Sequence, residues 1–241
     1  MDHRAFIQAN TRPLPVPSIP SIRLYQADEV TPLWLMTEAD MDRSRLAPPF
    51  WAFAWSGGQA LATYVLDHPE AVAGKRVLDL ACGSGLVGIA AARAGAAQVT
   101  CNDIDPFAAP AVALNAELND VQLDFMPGDL LDGEARAPNA LAFGKGDSPP
   151  EPLRGQACVA SERKNFDLIL AGDIAYERPM TEAMLTFLRR ARAQGATVLV
   201  GDPHRAYFPK AGFRRLADYV VRTNPAIEDA AEKPATVWEL L

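Results

Sequence analysis

RVLDLACGSGLVGIAAARAG, residues 76–95, sets Gly83, Gly85 and Gly88 in the spacing G-x-G-x-x-G. The apolar run before the glycines and the small-residue run after them predict a strand, a tight turn and a helix, the opening of a nucleotide-binding βαβ unit. Working outward, strands are expected at residues 76–80, 98–102, 122–126, 166–171 and 197–201, with helices near 85–94, 106–119 and 179–194. Gly95 and Gly195 stand where helices should stop. Two apolar runs, LADYVVR (216–222) and PATVWELL (234–241), lie too close together for another crossover and suit an antiparallel pair. The pattern defines an α/β fold: a Rossmann-like, seven-stranded, mostly parallel sheet with an antiparallel C-terminal hairpin and helices on both faces.

Outside this unit the signals weaken. Residues 11–20, TRPLPVPSIP, hold four prolines and are expected to be extended with little helix, followed by the strand-like SIRLYQA. Residues 1–47 are therefore read as an extended N-terminal arm and 48–241 as the main domain. An aromatic segment leads into a helix with apolar spacing over 59–66. Residues 133–163, rich in Pro, Gly and charge, are expected to be a long mobile surface insertion.

With 241 residues, 49% of them hydrophobic, the chain can bury one substantial core. Its 23 Lys and Arg against 30 Asp and Glu, with no basic block, disfavour a large nucleic-acid partner and lean towards a cationic acceptor. Cys82, Cys101 and Cys158 lack C-x-x-C spacing and the three histidines are scattered, so neither a metal site nor a disulfide framework is expected, and a reducing compartment follows. No apolar run nears the roughly 20 residues of a membrane span. The expectation is a cytoplasmic protein (mitochondrial matrix if eukaryotic), monomeric, with no membrane partner.

The glycine loop alone fits either NAD or S-adenosylmethionine (SAM). Asp103, 18 residues beyond Gly85, satisfies both, since a carboxylate there accepts from ribose hydroxyls. Asp79 separates them. A pyrophosphate approaching the end of the first strand would be repelled by a carboxylate, whereas the methionine ammonium of SAM is attracted to one. Ile104 then offers an apolar surface to adenine, and Asp129, after the third strand, can accept from its amino group. Gly83 and Gly85 allow close backbone approach.

The block PPFWAFAWSGGQALATYVLDHPEAVAGKRVLDLACGSG, with NDIDPFA, FDLILAGDIAYE, VLVGDPHR and TVWEL, resembles the seven-β-strand SAM-dependent methyltransferases. More narrowly it is similar to the electron transfer flavoprotein β-subunit lysine methyltransferases, within the nicotinamide N-methylase-like family. The resemblance covers about residues 48–130 and 165–241; Ala81, where the broad class has glycine, and the 133–163 insertion depart from it. It implies a protein-lysine N-methyltransferase acting on the electron transfer flavoprotein β subunit, with a ribosomal protein as fallback. A small-molecule N-methyltransferase of the nicotinamide type is the alternative; an NAD oxidoreductase and an inactive SAM-binding module are weaker ones.

The resemblance also assigns residues. AGDIAYE carries D-x-x-Y as Asp173 and Tyr176, the catalytic pair: Asp173 would accept from the acceptor nitrogen, and Tyr176 would supply a backbone carbonyl and an aromatic wall. Glu177 is a further candidate for the proton. Trp55 and Gly58 would cover the cofactor, with Gly58 permitting a turn before the helix, and Gly172 and Asp173 would face it. Cys82 joins the cofactor-binding set as a small filler beside the loop, and Trp238 and Glu239 are weak candidates for the acceptor pocket. Neutralising a lysine with a pKa near 10.4 at pH 7 costs roughly 4.6 kcal/mol, and a lone carboxylate raises that cost, so Asp173 suits capture rather than deprotonation.

Overall fold

The computed structural model describes residues 2–36, 48–131 and 166–241. The expected insertion at 133–163 lies outside the described residues.

The N-terminal residues are not an extended arm. Helix α1 (His3–Asn10) is capped by the Asp2 carboxylate, which accepts from Ala5 N–H at 3.2 Å. Strands β1 (Arg12–Val16) and β2 (Ile19–Gln26) then pair antiparallel as a separate ribbon, and α2 (Pro32–Leu35) follows. The prolines are accommodated because a two-stranded ribbon is all edge, leaving the missing N–H groups unneeded. What turns an arm into a docked unit is burial: Ile7, Ile22 and Leu24 are inaccessible to solvent.

Helix α3 (Ser56–Asp67) leads into the main sheet, which comprises β3 (Arg76–Leu80), β4 (Gln98–Asp103), β5 (Asp124–Pro127), β6 (Leu168–Gly172), β7 (Thr197–Asp202), β8 (Phe213–Arg222) and β9 (Glu232–Leu240). Between them run α4 (Leu86–Arg93), α5 (Ala108–Leu118), α6 (Arg178–Ala193) and the short α7 (Pro225–Glu228). The order is β5-β4-β3-β6-β7-β9-β8, parallel except for β9, which is antiparallel to both β7 and β8. The expected C-terminal hairpin is thus present, with its second strand inserted beside β7.

Alternation along the strands sends side chains into two cores. Val77, Cys101, Leu168 and Leu170 face α3 and α4, while Leu78, Leu80, Ile169 and Val200 face α6. The N-terminal unit closes a third cluster, in which Ile7 and Trp51 meet Phe107 and Leu114 at α5. Asn115 of α5 joins this unit to the glycine loop, accepting from Tyr25 N–H and donating to the Ser84 carbonyl, both at 2.8 Å.

Helix α3 begins three residues before the expected 59–66 segment, on Ser56, Gly57 and Gly58. Two glycines at a helix start read locally as a turn. The free N–H groups there are satisfied from afar instead: Glu228 accepts from Ser56 N–H at 2.8 Å and Asp173 from Gly58 N–H at 2.9 Å. Gly58 is therefore a helical residue and not the turn expected of it.

Candidate active site

A cleft of about 670 Å³ opens at the C-terminal ends of β3, β4 and β6. Strand order reverses between β4 and β6 on either side of β3, the place where open α/β sheets bind ligands. On the cofactor side its walls include Asp79, Cys82, Gly83, Asp103, Ile104 and Asp129. Trp55, Gly58, Gly172, Asp173 and Tyr176 complete the predicted residues that the fold brings together there. Gly85 does not line the cleft. It heads α4 at φ +77°, and a Cβ there would stand 3.0 Å from Val112, so its work is to turn the chain.

Each cofactor-side carboxylate is held by nearby backbone. Asp79, buried under α4, accepts from Gly88 N–H at 2.8 Å; burial pushes its carboxyl up to about 7, against the opposing effect of that bond. Asp103 accepts from Gly83 N–H at 2.8 Å with one oxygen and from Asp105 N–H at 3.0 Å with the other. Asp129 accepts from Leu131 N–H at 2.8 Å, and Asn102 steadies its loop by donating to the Met126 and Gly128 carbonyls at 2.8 and 2.9 Å. Ile104 is 73% exposed, an apolar side chain left largely uncovered by the described residues. Burial raises the Cys82 thiol well above its ordinary value, which removes it as a nucleophile.

The donor set tests the ligand. Among the described residues lining the cleft, Asp79, Asp103, Asp105, Asp129 and Asp173 are acidic and Arg205 alone is cationic. A pyrophosphate would meet a wall of like charge. A ligand carrying an ammonium and a sulfonium, with ribose hydroxyls to donate, fits.

On the acceptor side, Asp173 follows β6 in a left-handed conformation, φ +56°, and is buried. One oxygen accepts from Gly58 N–H at 2.9 Å and the other from Arg205 Nη2 at 2.9 Å. Burial raises its carboxyl and the Arg205 charge opposes the rise. Four glycines make this junction possible. A Cβ on Gly172 would lie 2.8 Å from Gly58 Cα, one on Gly57 2.6 Å from the Asp173 carboxylate, and Gly57 and Gly201 meet backbone to backbone.

Tyr176, 44% exposed, stands with its ring 5.4 Å from Phe50, whose ring is 5.8 Å from Trp55. Trp55 Nε1 donates to the Phe50 carbonyl at 2.9 Å, so the indole sits at the mouth of the cleft, and the core tryptophan of this aromatic cluster is Trp51. Burial raises the Tyr176 phenol and keeps it neutral. Trp238 and Glu239 are not brought to the site. The first packs on Phe208 in the α6 core and the second pairs with Arg214. Glu177 lies exposed just before α6 and outside the cleft lining.

Arg205, Asp202 and Glu228 escaped the sequence reading. Asp202 is buried at the end of β7, its carboxyl pushed up to about 7 by burial, and accepts from Arg205 N–H at 3.0 Å. Glu228 accepts from Ser56 Oγ at 2.7 Å and faces Lys233 at 3.3 Å. The signal available for Arg205 was its place in GDPHR, where an acidic strand end is followed three positions later by a cation.

Fold, switch-point cleft and acidic lining define the class: a seven-stranded SAM-dependent methyltransferase. Residues 59–139 match the family described as ribosomal protein L11 methyltransferase (PrmA). A Pyrococcus horikoshii structure described as a candidate RNA methyltransferase superposes with a TM-score of 0.51 at 15% identity, over 80% of this chain and 88% of that one, which speaks for the fold alone. The electron transfer flavoprotein beta subunit lysine methyltransferase of Xenopus laevis is 34% identical over 98% of this chain and 85% of its own. The enzyme of the same name from Homo sapiens is 30% identical over 98% of this chain and 80% of its own. The chain belongs to the family of electron transfer flavoprotein β-subunit lysine methyltransferases. It is a SAM-dependent protein-lysine N-methyltransferase, which sets aside the small-molecule, NAD and inactive-module readings.

Proposed function

We propose that the acceptor is a lysine ε-amine of the electron transfer flavoprotein β subunit, methylated by a monomer working in the cytoplasm, or in the mitochondrial matrix if the source is eukaryotic, without nucleic-acid or membrane partners. The observation that carries this reading is similarity along nearly the whole chain to relatives named for that substrate. The match to ribosomal protein L11 methyltransferases falls on residues 59–139, largely the cofactor half, and gives a ribosomal protein only the rank of a second acceptor. Among the described residues no helix is long and apolar enough to cross a membrane.

Asp79 would hold the ammonium of SAM, Asp103 its ribose, and Ile104 with Asp129 its adenine. When bound, SAM would supply a methyl activated by positively charged sulfur, a leaving group able to keep the bonding electron pair. The protein's part is alignment. A carboxylate has about four acceptor positions, and Gly58 and Arg205 occupy two at Asp173, leaving two for the N–H groups of an amine. The Phe50, Trp55 and Tyr176 rings flank the approach, excluding water and offering apolar faces to the methylene stem of a lysine.

The test is transfer of labelled methyl from SAM to purified electron transfer flavoprotein and to a cell extract, with Asp173→Ala as control. A labelled β subunit, absent with the variant, supports the reading; label confined to a ribosomal protein or to small molecules replaces it.

A further inference from the structure

Arg205 is fixed with a care that its absence from the sequence reading did not anticipate. Asp202 accepts from its N–H at 3.0 Å. The preceding residue, His204, holds a left-handed φ of +62° with Nε2 3.0 Å from Thr236 Oγ1, pinning the turn to β9. The turn sends the guanidinium back over β6, where Nη2 meets Asp173 Oδ1 at 2.9 Å.

We propose that Arg205 is a positioning residue: by pairing with Asp173 it cancels the carboxylate's charge while leaving it an aimed hydrogen-bond acceptor, so that the site receives the acceptor lysine as a neutral amine. This rests on the lysine-methyltransferase reading and supplies the step that reading lacks. A bare carboxylate would bind an ammonium, whose nitrogen has no lone pair to give. The Asp173–Arg205 pair attracts an ammonium far less, and the remaining charges do not restore the attraction. Glu228, behind Asp173, is engaged by Lys233 and Ser56. Asp202 is buried and is taken up with the Arg205 backbone N–H. Asp103, across the cleft, keeps its charge on the cofactor side, where SAM would take it up; Glu177 is outside, and Tyr176 is a neutral phenol. The sulfonium of a bound SAM would add positive charge to the same cleft. A lysine desolvated beside fixed positive charge has its pKa lowered. The ammonium N–H bond therefore breaks at the mouth of the cleft: the proton goes to bulk water and the electron pair stays on nitrogen.

The test is the pH dependence of kcat and KM for methyl transfer to electron transfer flavoprotein between about pH 6 and 10, comparing wild type, Arg205→Gln and Arg205→Lys, with SAM binding by calorimetry to confirm an intact cleft. In Arg205→Gln the rising limb of kcat moves up by about one unit or more, so activity falls about tenfold at neutral pH and returns at high pH; Arg205→Lys restores the wild-type limb. A uniform loss with the limb unmoved, or a folded Arg205→Gln enzyme dead at every pH, overturns the proposal. Should Arg205→Gln fail to bind SAM, Asp173→Asn decides: with the Arg205 charge unbalanced its residual activity must show a limb moved down, and an unmoved or raised limb overturns the proposal. A wild-type enzyme that methylates no protein lysine at any pH fails the functional reading itself, a result distinct from the others, and the inference falls with it.

Discussion

The two halves of the cleft handle negative charge in opposite ways. On the cofactor side Asp79, Asp103 and Asp129 accept from backbone N–H groups 9, 20 and 2 residues away, and none of them pairs with a cationic side chain among the described residues. On the acceptor side Asp173 is held by Gly58 and Arg205, 115 and 32 residues away, and Glu228 by Ser56, 172 residues away, with Lys233 beside it. Dipoles orient a carboxylate and leave its charge for a ligand; a guanidinium orients it and takes the charge away. On the proposed reading, the half left anionic would face a ligand bearing an ammonium, and the neutralised half an amine that must arrive without its proton.

The largest expected effects test whether the halves are separable. Asp103→Ala and Asp173→Ala should each lower methyl transfer by about 100-fold or more, because misplacing a reacting partner by about 1 Å costs that much. Calorimetry with SAM should then tell them apart: binding is lost with Asp103→Ala and kept with Asp173→Ala. Loss of SAM binding in both would mean that the division is not real.

Two glycines test how each half is held together. An added Cβ at Gly57 meets the Gly201 carbonyl and the Asp173 carboxylate, neither of which can move without displacing β7 or the acceptor site. At Gly88 the nearest atoms are side-chain ones, the Cys101 thiol at 2.8 Å, then Asp79 Oδ2 at 3.2 Å and Val99 Cγ1 at 3.3 Å, with no backbone atom among them. Gly57→Ala should therefore cost about 3 kcal/mol and Gly88→Ala about 1 kcal/mol. For a chain of this size that is a fall in Tm of about 6–12 °C against 2–4 °C, measured by thermal denaturation. Equal falls would show the cofactor half to be as tightly locked as the acceptor half.

The same contrast decided what was legible in the sequence. The glycine loop, the strand-end carboxylates and the βαβ alternation are short-range patterns, so the sheet, its helices and the positions of Asp79, Asp103 and Asp129 could be read locally. Gly85 was found by spacing, yet its role is the turn beside Val112 and not the cleft wall. The start of α3 was missed because its caps come from Asp173 and Glu228, on other elements. Arg205 was missed because the acid-to-cation spacing in GDPHR does not say that its turn folds back over β6. At the N-terminus four prolines argued for extension, and the contacts that dock the segment, Tyr25 on Asn115 and Arg23 on Asn119, bridge some ninety residues.

The smallest effect sharpens the account of the anionic half. Asp79→Asn keeps an acceptor for Gly88 N–H and removes the charge, so SAM affinity should fall about tenfold, roughly 1.4 kcal/mol, by calorimetry at pH 7. Stability should move the other way. The folded Asp79 carboxyl sits near 7, above the ordinary value near 4, so between those pH values the unfolded chain gives up a proton that the folded one keeps. This costs wild-type stability as pH rises from about 4 to 7, with the loss complete above 7, and Asn, which does not ionise, escapes it. The Tm of Asp79→Asn minus that of wild type should therefore grow across this window and then level off. Asp202 titrates in the same range, but it is present in both proteins and drops out of the difference. Since SAM recruits the ionised form, wild-type affinity should tighten as pH rises from about 5.5 to 7, a range in which the ligand's own ammonium stays charged, and the variant should lack that limb. A flat wild-type affinity would mean that Asp79 serves only to cap α4, leaving the anionic half to Asp103 and Asp129.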